Sequence, residues 1–363
     1  MQIPAPNPTT WFNAHGPMVT CWLPALNATE DPANRLRLEW RHAQDQIPGA
    51  PAAAVAAIDE LLGSERAHQA DTSLLLFADP SGAIAGVQLP DQTDSSRAWL
   101  DSLPRLGPVL NARQQTVPHL VVVADRAGAD IEVVDNGETD SETVDGETLH
   151  IQRSHPGGWS QRRFQQRAEN TWERNAKGVA DEVDALREQI HARLVVVTGD
   201  PRAVGFLMEH ASERLKEVLH HIEGAGRSDQ HPFDEVADEV GRLEATVVAN
   251  DRVAVLEHFA AAGQTEGVAD GPERTLAMLS QGRVSDLLVH DDPDDDRRAM
   301  FDRASRQVAL DGEPLRELGL HPEEGRLIDV ALWAAHATGA QAHFVPRSGP
   351  KAPTGSLGGI LRG

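Results

Sequence analysis

Two short apolar runs constrain this chain most: Leu120-Val121-Val122-Val123 and Leu194-Val195-Val196-Val197. Each is too short for a helix and too uniformly apolar for a strand with one wet face, so each reads as a buried strand. Between them the apolar period lengthens to that of a helix over about 161–190, beginning with Phe164, Ala168 and Trp172. The first strand, His119–Ala124, turns through Asp125-Arg126-Ala127-Gly128 into Ala129–Val134. Residues 130–147 hold eight acids and no base, which predicts a solvated loop. Leu149–Arg153 is then the expected third strand. Pro201 after the second apolar run stands where a helix starts. Three antiparallel strands followed by helix, strand and helix predict a ribonuclease-H-like layer over 114–230.

The flanking segments read differently. Residues 34–47 and 52–62 have helical spacing, separated by Pro48 and Pro51, and a hairpin of Ser73–Ala78 and Ala83–Leu89 follows. Residues 1–113 are therefore expected as a small α+β domain. After Gly224-Ala225-Gly226-Arg227-Ser228-Asp229, helices are expected over 234–262, 273–281 and 328–338, with strands at 284–289 and 342–345 and an edge strand in the tail 355–361. This alternation predicts an α/β/α sandwich for 231–363. The fold class is thus α/β and α+β in three domains: 1–113, 114–230 and 231–363.

The formal net charge is -23. That excludes a general nucleic-acid binder, which must neutralise phosphate with clustered bases, but not a protein that touches RNA at one tip. Cys21 is the single cysteine, so neither an intrachain disulfide nor a cysteine zinc site is possible. No apolar run approaches the length of a membrane span, and no basic-then-apolar leader opens the chain, so a cytoplasmic location and no membrane partner are expected.

The segment with a candidate chemistry is Gly157-Gly158-Trp159-Ser160-Gln161-Arg162-Arg163. Two glycines permit close backbone approach, and a Gln beside them offers a backbone N–H and a neutral amide. Arg153, Arg162, Arg163, Arg167 and Arg174 surround it against Glu169 and Glu173, a local positive patch on an acidic chain. The bland alternative is a surface loop over 154–161 with Ser160 capping the helix. Other motifs lead nowhere. Arg162 stands where a nucleophile elbow needs Gly. The run Asp291–Asp296 lacks the Gly and final Glu of a calcium loop and reads as solvated. His220-His221 has no metal-ligand spacing.

Gly157-Gly158-Trp159-Ser160-Gln161 resembles the catalytic loop of the archaeo-eukaryotic class-1 peptide release factors, and more closely that of their bacterial branch (family 2), related to Vms1-type peptidyl-tRNA hydrolases and to pelota. In release factors the loop reads Gly-Gly-Gln; here Trp159 and Ser160 separate the glycines from Gln161. The resemblance is clearest over about 115–363. It implies a ribonuclease-H-like middle domain and an L7Ae-like C-terminal domain. It assigns Gly157, Gly158 and Gln161 to catalysis, with Arg153, His155, Arg162, Arg163 and Arg167 binding RNA. No metal and no cofactor are implied. The implied partners are the ribosome, through rRNA and P-site tRNA, and a translational GTPase through the C-terminal domain. Three functions stay open: a peptidyl-tRNA hydrolase in rescue or termination-like release, a non-catalytic occupant of the ribosomal A site in hibernation or stress, and, ranked last, a ribosome-independent tRNA nuclease or binder.

Overall fold

The structure, a computed structural model, describes residues 3–25, 32–64, 72–90, 93, 95–135, 138–146, 158–227, 231–349 and 351–363, without the side chains of 32–33 and 158–168. The fold is mixed α/β with several sheets. The chain divides into two compact units, residues 113–251 and residues 1–112 with 252–363.

Residues 113–251 contain strands β1 (His119–Ala124), β2 (Gly128–Asp135), β3 (Glu138–Asp145), β4 (Leu194–Gly199) and β5 (Leu219–His221), with helices α1 (Gly158–Ile190) and α2 (Pro201–His210). The sheet order is β3-β2-β1-β4-β5. The first three strands are antiparallel, β4 runs parallel to β1, and β5 parallel to β4. This is the ribonuclease-H-like layer that the strand and helix order predicts. The apolar runs are uniform because both faces are covered. Leu120, Val122 and Ile131 pack against Val179, Val183 and Leu186 of α1 and Leu207 of α2. On the other face Val121, Leu194 and Val196 pack against Val236, Val240 and Val248. Alternate side chains of one strand thus enter two different cores.

The third strand is not where the composition predicts it. Glu138–Asp145, read as solvated loop, is β3, and Leu149–Arg153 lies outside the described residues. An edge strand bonds to one neighbour only and packs little, so polarity does not exclude it. Every residue of β3 is exposed except the half-buried Val144, and its acids discourage pairing with another edge. Asp135 pairs with Glu138; the intervening sequence, Asn136-Gly137, is the residue pair most characteristic of tight hairpins and lies outside the described residues.

In the other unit, Ile84–Leu89, Ser73–Ala78, Met18–Leu23 and Arg97–Asp101 form an antiparallel sheet in that order. One face packs on the helices Pro32–Gln44 and Ala52–Leu62. Residues from its other face, Met18, Leu75 and Phe77, join a core with Leu279, Phe301 and Ile328. A second sheet has the order Val268–Asp270, Leu357–Leu361, Val284–Val289, Gln341–Phe344. The tail strand is therefore internal, not the expected edge. Gly358 explains how it fits: a Cβ there would lie 2.7 Å from Pro353 and 2.9 Å from the Phe259 ring. A three-stranded sheet of Gln307–Ala309, Arg298–Asp302 and Glu323–Arg326 completes the unit.

The Asp291–Asp296 run is solvated on one side only, where Asp294 and Asp296 are each 76% exposed. It wraps the buried guanidinium of Arg326, whose Nε donates to the Asp295 carbonyl (2.8 Å) and whose Nη2 donates to the Asp292 carbonyl (2.7 Å) and to the Asp291 carboxylate. Arg105 donates to the Pro293 carbonyl and to Asp296, both at 3.0 Å. A row of acids satisfies buried arginines here, a role that depends on partners distant in sequence.

Candidate functional site

Helix α1 starts at Gly158, so Ser160 and Gln161 lie within its first turn rather than in a loop before it. The residues one turn before Phe164 are the polar Ser160 and Gln161, so the apolar period does not itself mark where the helix starts. Gly157 and Gly158 are weak helix formers, and Pro156 before them disfavours αR at the residue that precedes it. Of the candidate residues, Gly158, Gln161, Arg162, Arg163 and Arg167 fall on the first turns of this helix. Arg153, His155 and Gly157 lie outside the described residues.

Gly158, Trp159 and Ser160 carry N–H groups that have no carbonyl partner within the helix. The first turn contains no acid to neutralise the positive end of the helix dipole. Three arginines follow at 162, 163 and 167. Backbone donors and cations on one helix start suit a phosphate or a developing oxyanion.

Sheet and helix meet well below that end. Asn175 is buried and its Nδ2 donates to the carbonyl of Arg126, in the turn after β1, at 3.0 Å. Gln161 lies 14 residues earlier on the helix, about 21 Å along the axis at 1.5 Å per residue. The helix thus carries Gln161 far from the point where it is fastened.

Beyond the apolar core contacts of Val179, Val183 and Leu186, the attachment to the β1 turn is polar. The Arg126 guanidinium stacks 4.5 Å from the Trp172 ring centroid and pairs with Asp200 at 3.1 Å. Asp200 caps α2 by accepting from the amides of Arg202 (3.0 Å) and Ala203 (3.3 Å). Burial pushes the Asp200 carboxyl up, but those amides and Arg126 outweigh it and hold it below its ordinary value. Asp125 holds the turn by accepting from the amides of Ala127 (2.7 Å) and Gly128 (2.8 Å). A Cβ on Gly128 would lie 1.8 Å from the Val144 carbonyl oxygen, so only glycine fits beside β3. Arg227 closes the same end through Asp130 (3.1 Å) and Asp145 (2.9 Å). Gly146 leaves β3 there, its amide bonded to the Ala127 carbonyl at 2.6 Å. Sequence reading marks 125–128 only as a turn; no local signal says that Arg126 meets Trp172.

A cleft formed by described residues of this unit has the wrong sign for RNA. It encloses about 440 Å³ beside β3 and is lined by Asp130, Glu132, Glu142 and Asp234, with Arg227 and His231. Among the described residues no cluster of His, Cys, Asp and Glu could hold a metal, and no helix is long and apolar enough to cross a membrane.

Residues 118–265 match the family model described as Bacterial archaeo-eukaryotic release factor family 2. Among solved structures, the chain is similar to the archaeal translation termination factor aRF1 at 18% identity, over 98% of this chain and 95% of that one, with a TM-score of 0.29. It is similar to ribosome-bound archaeal Pelota, described in a model with ABCE1, at 14% identity over 99% and 95%, TM-score 0.45. It is similar to Dom34 of S. cerevisiae, described as a translation termination-like factor in RNA quality control that interacts with Hbs1, at 11% identity over 80% and 79%, TM-score 0.40. No curated protein matches the chain.

Proposed function

We propose that this chain, a bacterial archaeo-eukaryotic release-factor-like protein over residues 118–265, works at the ribosome and hydrolyses peptidyl-tRNA in rescue or termination-like release. The observation that carries this reading is the start of α1 at Gly158: backbone donors with no carbonyl partner within the helix, no acid in the first turn, and arginines at 162, 163 and 167. In the proposed complex this end approaches the acceptor end of P-site tRNA. Arg153, His155, Arg162, Arg163 and Arg167 hold rRNA or tRNA phosphates. Gly157 and Gly158 let the backbone come close, and Gln161 orients the attacking water and stabilises the oxyanion of the tetrahedral intermediate. Residues 231–363 dock a translational GTPase, by analogy with the family.

A single-turnover assay on ribosomes carrying labelled peptidyl-tRNA tests the chemistry. Gln161→Ala lowers release about 100- to 1000-fold while ribosome affinity stays nearly intact, because the side chain acts on the transition state. Wild-type release no faster than the factor-free background removes the hydrolase reading.

The separation of the glycines from Gln161 by Trp159-Ser160 favours a second reading, a non-catalytic A-site occupant in hibernation or stress. It gives A-site protection without release from the wild type.

A further inference from the structure

We infer that Arg126 is a positioning residue: it sets the angle at which α1 leaves the sheet, and so sets where Gln161 arrives. This rests on the proposed role of Gln161, but its structural core does not.

Arg126 grips α1 twice. Its side chain stacks on Trp172 at 4.5 Å, and its carbonyl accepts from Asn175 at 3.0 Å. The two attachments are three residues apart, on one face of the helix. Val179, Val183 and Leu186 hold the later turns of α1 in the core, and Glu169 and Glu173 pair with Arg202 (3.7 Å) and His210 (3.5 Å) of α2; the two Arg126 contacts add the attachment to the β1 turn on the Gln161 side of that core. The guanidinium also pairs with Asp200, whose carboxylate caps α2. One residue therefore joins the β1 turn, the middle of α1 and the start of α2. An ordinary exposed ion pair would do little to hold a helix. The side chain adds the stacked Trp172 ring to the pair with Asp200, while the Asn175 bond to the Arg126 carbonyl survives its removal, so Arg126→Ala tests the stack and the pair alone.

The lever makes that role matter. Gln161 lies 11 residues from Trp172, about 16 Å along the helix, so a tilt of about 5° there displaces Gln161 by about 1.4 Å. A misplacement of about 1 Å at a reacting centre can cost about 100-fold in rate. Loss of the brace should therefore lower the rate of the chemical step and leave binding nearly unchanged.

The experiment measures the helix angle first. Nitroxide labels are attached in the full chain through Ser160→Cys, near the start of α1, and Glu213→Cys, at an exposed position after α2. Cys21 is buried and stays unlabelled. Pulsed EPR then gives the distance distribution between the labels. Arg126→Ala is expected to shift or broaden it by about 1–3 Å, the displacement of a tilt of roughly 5–10° at this lever length. Trp172→Phe keeps a ring under the guanidinium and should leave it near wild type. Arg126→Lys keeps the charge but loses the planar stack, should fall between, and carries the test if Arg126→Ala does not fold. In the peptide-release assay, Arg126→Ala should lower the maximal rate about 10- to 100-fold with half-saturation within about 2-fold. An unchanged distance distribution in Arg126→Ala overturns the brace, whatever the chain does on ribosomes. A moved helix with undiminished release overturns the positioning role. A moved helix with a wild type that releases nothing upholds the brace and removes the hydrolase reading instead.

Discussion

Replacing Arg326 by Met tests whether the acidic run Asp291–Asp296 is structural. The Arg326 and Asp329 side chains are each 1% exposed, and Asp291 is 9% exposed. Met fills a similar volume but removes the donors to Asp291, to Asp329 (3.3 Å) and to the carbonyls of Asp292 and Asp295. Breaking a buried ion pair by deleting one partner costs about 3–5 kcal/mol, because the remaining charge is left uncompensated. For a unit of this size that is a loss on the order of 10 °C in Tm. The loss should depend on pH. Burial, with Asp291 and Asp101 nearby, already raises the Asp329 carboxyl to about 7 against the pull of Arg326 and Arg105. An acid whose pKa is raised in the folded state costs stability as pH climbs from its ordinary 3.8 through the folded value. Removing Arg326 raises Asp329 further. Arg326→Met should therefore lose more at pH 8 than at pH 5, where Asp329 takes up a proton. Arg326→Met with Asp329→Leu should recover much of the deficit. Calorimetry of the full chain at both pH values decides it. A loss under about 1 kcal/mol, or an equal loss at both pH values, would refute the reasoning.

Two further outcomes are expected. Arg162→Ala with Arg163→Ala should reduce the slope of log ribosome affinity against log salt by about 1–2 units, and an unchanged slope would mean that these arginines touch no phosphate. Burial pulls the His119 imidazole down, but Glu244 at 3.2 Å and the Val117 carbonyl outweigh it, so its pKa is raised above 6.5. That stabilisation is complete below pH 6.5 and is lost as pH rises through the folded value. Residues 113–251 should thus melt lower at high pH, and Glu244→Gln should flatten the dependence in a thermal scan.

Much of the middle layer was legible from local pattern. A strand buried on both faces must be apolar throughout, so Leu120–Val123 and Leu194–Val197 announce themselves. The period of α1 is equally local, because its apolar face repeats every turn against one core. Asn136-Gly137 also carried a readable hairpin signal, masked by the acids that follow it. The start of α1 is less legible: nothing between Pro156 and Phe164 distinguishes a helical first turn from a loop.

Other features depended on partners that no local window contains. β3 is a strand because β2 offers it a ladder, and composition says nothing about that bond. Gly358 needs to be glycine only because Phe259 and Pro353 crowd it. The acids of 291–296 look solvated until Arg105 and Arg326 arrive from elsewhere in the chain. Arg126 is one residue of a polar turn until the fold sets Trp172 beneath it. Apolar periodicity records how a segment meets its own core, and the sequence by itself determined that much. Which charge meets which, and where a helix points, depend on distances across the fold, and only the tertiary structure decided them.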